Sequence, residues 1–311
     1  RLLWRVWSNG RILRKGFCPS SATSSEALIN QMQPCVECVG RLNYLNNLIG
    51  TNASTSSIAQ CTLWMERERI ACSGLRSVAS MTRTWSGCYS LQSLEIEDWP
   101  VDKWAVTTFN SVWTSCISLE KLDLSNWDVS GWAITSLADV WNKCRSLKTL
   151  NISTWDTSDW AITSLYRTWV HCTSLQNLDL SNWDTENWAV TTINSCWHDC
   201  ASLQSLDLSK WDTSNWAVTN MGYTWYSCYH LKTLDVSTWD TENWNVTSLI
   251  STWNACYSLE ELDISSWDTS DWTVSSADYA FYGCYSLKEL DISDWDLSNW
   301  TISNVTGFIG D

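Results

Sequence analysis

One row of side chains capable of chemistry recurs on a fixed beat. Glu95, Asp123, Asn151, Asp179, Asp207, Asp235, Asp263 and Asp291 stand 28 residues apart, each between two aliphatic residues. If successive copies stack about 5 Å apart as neighbouring strands do, the row places like charges close together. Such charges disfavour full ionisation, and a cation or a basic partner lying along them would relieve it. The competing reading is structural, with each carboxylate accepting hydrogen bonds from Ser or backbone of the adjoining copy. A second carboxylate file, Asp128, Asp156, Asp184, Asp212, Asp240, Asp268 and Asp296, opens a polar turn whose N–H groups it is suited to satisfy. Eight of the 14 cysteines keep the same beat, from Cys88 and Cys116 to Cys284. Set beside Leu and Trp, they read as small packed thiols, although the spacing between copies permits bridging. Cys35 and Cys38 form a lone CxxC for which zinc, a disulfide or plain buried thiols all stay open. His171, His198 and His230 fall singly, and no Ser–His–Asp grouping, Gly-rich phosphate loop or ligand spacing emerges. No catalytic residue, cofactor or metal site is assigned. Asn52, Asn151, Asn245 and Asn304 begin glycosylation sequons that a chain so rich in Ser and Thr yields cheaply.

The elements that must hold these groups follow from the same period. Three aromatic columns share it: Trp99 to Trp295, Trp104 to Trp300, and Trp85 to Trp253 with Phe281 in the last place. A repeat of this length means a solenoid, propeller or array. Within a copy the apolar spacing changes once. Leu122-x-Leu124 has the period of two that makes a strand, whereas Ile134, Leu137, Trp141 and Cys144 step by three and four and predict a short helix capped by Thr135 and Ser136. The fold class is therefore an α/β solenoid of about eight 28-residue coils over residues 75–311, each with a short parallel strand and a short helix. Residues 1–74 lack the beat and read as a mainly helical cap, with helices over Ser24–Ile49, broken near Pro34, and Ser57–Cys72. The Trp104 column leaves a choice. Exposed, it would be a stacking platform for a glycan or an anchor set for a protein; its size as an apolar patch favours burial.

Charge narrows the partners. Residues 1–80 carry nine Lys/Arg and four Asp/Glu, and residues 81–311 carry ten and thirty. An acidic solenoid repels nucleic acid and anionic membrane surfaces and attracts cations or basic partners. No run of 18 apolar residues predicts membrane insertion, and Arg1, Arg5 and Arg11 break the pattern of a secretory leader. The chain starts on Arg rather than Met, so any targeting segment lies out of view.

The string Cys-x-Ser-Leu-x-x-Leu-Asp-Leu-Ser-x-Trp-Asp-Thr-Ser-Asn, carried by about residues 75–311, closely resembles the BspA-like leucine-rich repeats of bacterial surface proteins. Trp replaces the usual Phe, and an inserted Trp-Ala pair such as Trp132-Ala133 lengthens the coil. The resemblance implies a leucine-rich-repeat solenoid, extracellular or cell-surface placement, adhesion or protein binding, and no catalysis. Varied polar residues flanking the strand Leu positions are where such a protein would bind a protein or glycan. The residues to test are Lys148, Gln176, Gln204 and Lys232, with Asp179, Asp207, Asp235 and Asp263 alongside. An alternative is a building block of a fibre, sheath or virion that self-associates end to end, since Ile309 and Asp311 stop just short of the next Cys position without a polar cap.

Overall fold

The computed structural model describes residues 3–6, 12–15, 78–94, 96–97, 101–302 and 306–309. Near the N-terminus, β1 (Leu3–Val6) pairs antiparallel with β2 (Ile12–Lys15), Leu3 opposite Lys15 and Val6 opposite Ile12. The helices expected at Ser24–Ile49 and Ser57–Cys72, the CxxC, Glu95 and Trp99 lie outside the described residues.

From Val78 onward the chain coils with a 28-residue pitch. One side carries short parallel strands: β3 (Lys121–Asp123) beside β4 (Thr149–Asn151), and β5 (Ser205–Asp207) beside β6 (Thr233–Asp235). Leu122 faces Leu150 and Leu206 faces Leu234, so the register shift is one repeat. Period-two alternation turns these Leu residues inward and leaves Lys121, Thr149, Ser205 and Thr233 exposed. A second side is a ladder of parallel bridges, Ser136 to Ser164, Ser164 to Thr192, Thr192 to Asn220 and Asn220 to Ser248.

The third side corrects the predicted helix. Among the described residues there is no α-helix; the one helical element is a 3-10 turn at Val101–Lys103. The N–H groups of Leu137, Asp139, Trp141 and Lys143 donate to Ser164, Tyr166, Thr168 and Val170 of the next coil. Those of Val140, Asn142 and Cys144 close three-residue-back turns onto Leu137, Asp139 and Trp141. This alternation needs left-handed backbone twice per coil, at Asp139 and Lys143, Arg167 and His171, Ser195 and Asp199, and Tyr223 and Ser227. Each such L-residue costs about 1–2 kcal/mol. The alternative is worse: a helix of about seven residues carries a costly nucleus and leaves four orphan groups at each end, whereas the ladder gives nearly every N–H and C=O a partner. The predicted cap residues keep a local role, since Ser136 Oγ accepts the Ala138 N–H at 3.2 Å.

The core is a set of stacked indoles. Trp85 stacks on Trp113 at 5.4 Å, Trp113 on Trp141 at 5.7 Å and Trp141 on Trp169 at 5.5 Å, all within a few degrees of parallel. The column of Trp127, Trp155 and Trp183 and the column of Trp132, Trp160 and Trp188 are buried beside it. Rings of these two columns meet at a tilt, as Trp155 and Trp160 do at 5.7 Å and 59°, which sets an electropositive ring edge near an electronegative face. The inserted Trp column is thus core, and the exposed-platform alternative for it falls.

Candidate functional site

The residues singled out on the strand side form two adjacent exposed files. Lys148, Gln176, Gln204 and Lys232 lie at one register position and Asp179, Asp207, Asp235 and Asp263 at another, all solvent-facing. Backbone bonds lock the first file: Lys148 N–H donates to Glu120 O, Gln204 N–H to Gln176 O and Lys232 N–H to Gln204 O. Its charges are partly engaged along the file, with Lys148 Nζ 2.8 Å from Glu120 Oε2 and Lys288 Nζ 2.8 Å from Glu260 Oε2. Such exposed pairs hold geometry more than stability. Gln176 and Gln204 spend no side-chain hydrogen bond within the protein, so the centre of the file keeps its donors and acceptors for a partner.

Each Asp of the second file closes its own turn. Asp207 Oδ1 accepts the Ser209 hydroxyl at 2.7 Å and the Ser209 N–H at 3.0 Å. Asp179, Asp235 and Asp263 do the same with Ser181, Ser237 and Ser265. The structural partner is therefore the Ser two residues on, and among the described residues of the row only at Asp123 does the adjoining coil contribute, through Asn151 Nδ2 at 3.1 Å. The Ser209 hydroxyl and N–H hold the Asp207 carboxyl below its ordinary pKa, which keeps it charged. The second oxygen of each carboxylate has no partner in the turn, so the file remains an anionic strip. Among the described residues no group of three or more His, Cys, Asp or Glu side chains could hold a metal ion.

The remaining candidates are built into the core. All nine described cysteines are free, eight of them buried. From Cys116 to Cys284, each thiol of the periodic column donates to a Trp carbonyl of the previous coil: Cys144 Sγ to Trp113 O at 3.1 Å, and Cys200 Sγ to Trp169 O at 3.3 Å. Burial pushes the Cys144 thiol up to about 12, so it is neither nucleophile nor metal ligand at neutral pH. The turn carboxylates behave as expected, Asp156 Oδ1 accepting the Ser158 hydroxyl at 2.7 Å. His171 pairs with Asp199 at 2.9 Å, and burial, reinforced by His171, pushes His198 down to about 4.

A further surface escaped the sequence reading. On the turn-ladder side, the position after each Cys runs Tyr89, Ile117, Arg145, Thr173, Ala201, Tyr229, Tyr257, Tyr285. Its last three rings stack in a file, at 5.1 Å from Tyr229 to Tyr257 and 5.6 Å from Tyr257 to Tyr285. The signal was present in that column, since equivalent positions of successive coils adjoin one another.

The family model described as "Mycoplasma protein of unknown function, DUF285" matches the chain over residues 56–159, 135–245 and 191–308. Among solved structures, a leucine-rich-repeat protein of Leptospira interrogans is similar at 17% identity with a TM-score of 0.29; the match covers 68% of this chain and 50% of that protein, so the chain spans about half its length. No curated protein matches the chain.

Proposed function

The chain belongs to the DUF285 family, and we propose that it is a non-enzymatic recognition repeat protein that works at the cell surface, presenting its strand side to a protein partner. The finer resemblance to BspA-like surface repeats supports that placement. The observation that carries the reading is the pair of in-register files. Gln176 and Gln204 keep free hydrogen-bonding groups on a rigid parallel ladder, flanked by the carboxylates of Asp179, Asp207, Asp235 and Asp263. A partner there meets preorganised donors, acceptors and negative charge, which lowers the ordering cost of binding and makes association sensitive to salt.

The test is adhesion of beads coated with the chain to a panel of immobilised extracellular-matrix proteins, run at low and physiological salt. Wild-type beads are expected to bind at least one of them in a salt-dependent way. The quadruple variant Lys148→Ala, Gln176→Ala, Gln204→Ala, Lys232→Ala should lose that binding at an unchanged melting temperature. Equal adhesion by a stably folded variant would refute the strand-side assignment.

A further inference from the structure

We propose that the turn-ladder face of the last three coils, centred on Tyr229, Tyr257 and Tyr285, is a binding platform for an uncharged, repeating polysaccharide. Besides the stacked file, Tyr279 and Tyr282 meet edge to face at 5.6 Å and 85°, and Tyr223 and Tyr226 at 5.7 Å and 76°. These rings are not spill-over from the core, which the indole columns already fill. Tyr257, Tyr279, Tyr282 and Tyr285 are 45%, 40%, 43% and 66% exposed. A contiguous exposed aromatic surface on a soluble fold marks an interaction site. The backbone makes room for it: at Gly283, φ is +81° and a Cβ would stand 3.2 Å from Tyr257 Cε1, and at Gly307 a Cβ would stand 2.7 Å from Tyr279 Cδ1.

Three observations select the ligand class. The face is almost without charge. Residues 220–230, 248–258 and 276–286 hold one carboxylate, Asp278, which already accepts the Thr306 N–H at 3.2 Å, and no Lys or Arg. The rest of the solenoid is acidic, so a polyanion is repelled and a polycation is drawn to the strand side instead. Next, no phenol hydroxyl of these seven tyrosines takes part in a hydrogen bond within the protein, which leaves both donor and acceptor of each free for ligand hydroxyls. Stacked on one another, the rings of the file turn their edges and hydroxyl tips outward, which suits a ligand rich in hydroxyls. Last, the file repeats. Its ring-to-ring steps of 5.1 and 5.6 Å are comparable to the advance of one sugar in an extended hexose polymer, so successive rings meet successive residues and weak contacts multiply along one chain. A protein surface without repeats has no such period to exploit. The rings are held by stacking and carry few rotatable bonds, so little freedom is lost on binding.

This proposal is independent of the strand-side reading and is tested separately from it. The full chain is run in native gels containing hydroxyethyl cellulose, laminarin, dextran or galactomannan, with dextran sulfate as the charged control. Retardation is expected in at least one neutral polysaccharide and not in dextran sulfate. Tyr229→Ala with Tyr257→Ala and Tyr285→Ala should weaken it at least tenfold at an unchanged melting temperature, the corresponding triple Phe variant should weaken it several-fold less, and the strand-side quadruple variant should be retarded like wild type. A folding defect in the Ala variant leaves a second measurement on the native protein. Nitration of Tyr257 and Tyr285 by tetranitromethane, read by mass spectrometry, should fall when the retarding polysaccharide is present. No retardation in any neutral gel, equal retardation of the folded triple Ala variant, unprotected tyrosines, or capture only of a protein through this face would overturn the proposal.

Discussion

At the scale of the residue, the three indole columns are equally buried but differently bonded. The indole N–H of Trp155 donates to Leu124 O of the previous coil at 3.2 Å, and that of Trp183 to Ile152 O at 3.2 Å. The buried N–H groups of Trp160, Trp188 and Trp216 have no hydrogen-bond acceptor. They sit among tilted rings instead, as Trp183 and Trp188 do at 5.8 Å and 59°, where a ring face can receive an N–H weakly. Replacing Trp by Phe removes a similar volume in either column. Trp155→Phe also removes a bond to backbone, worth about 1 kcal/mol, and Trp188→Phe does not. In urea unfolding, the first variant should therefore be the less stable by about that amount. Equal losses would show that the carbonyl bond contributes nothing beyond packing.

At the scale of the element, the turn carboxylates make stability depend on pH. Hydrogen bonds from Ser209 hold Asp207 below its ordinary pKa, and hydrogen bonds from Ser214 hold Asp212 down likewise. A lowered folded value means these turns stabilise the fold above the unfolded carboxylate value of about 3.9 and lose that contribution as pH falls through the folded value. Asn keeps the accepting oxygen but does not titrate. The pair Asp207→Asn and Asp212→Asn should thus lose less melting temperature between pH 5 and pH 3 than wild type does. A loss as steep as wild type would place the acid sensitivity elsewhere. The Asp212 turn was legible in advance, because an Asp opening a polar stretch is a local signal; the Asp207 turn was not, because its carboxylate was expected to bond with the adjoining coil rather than with Ser209. Nor was the third side. Steps of three and four at Leu137, Trp141 and Cys144 fit a helix and a series of turns equally, and the deciding feature is the left-handed pair. Arg, Asp, Lys, His, Ser, Tyr and Ala occupy most of those positions, with Gly only at Gly87, Gly283 and Gly307 among the described coils, so no run of Gly or Asn announced them. The strand side was placed correctly for the opposite reason: its Leu-x-Leu alternation has one reading.

At the scale of the whole molecule, neighbouring described coils are joined by bonds that recur at the same repeat positions. The Cys144 thiol reaches Trp113 O, Thr157 Oγ1 reaches Asp184 O at 2.8 Å, and Asn187 Nδ2 reaches Ser158 O at 2.9 Å. Stability then grows approximately as a sum of coil terms and neighbour terms, and phase matters more than length. Removing residues 173–200 takes out one full period. It brings Cys172 up to Ala201, so that Cys172 replaces Cys200, every column is preserved, and Trp155 stacks on the ring formerly at Trp211. Removing residues 173–186 takes out half a period. It sets strand Leu positions against turn positions and leaves the Trp, Cys and Asp columns without partners in the coils on either side. The first deletion should give a cooperative melt with a modestly lower unfolding enthalpy and native-like near-ultraviolet ellipticity from the stacked indoles. The second should lose that ellipticity although it removes half as many residues. If both deletions behave alike, the 28-residue neighbour contacts do not carry the fold.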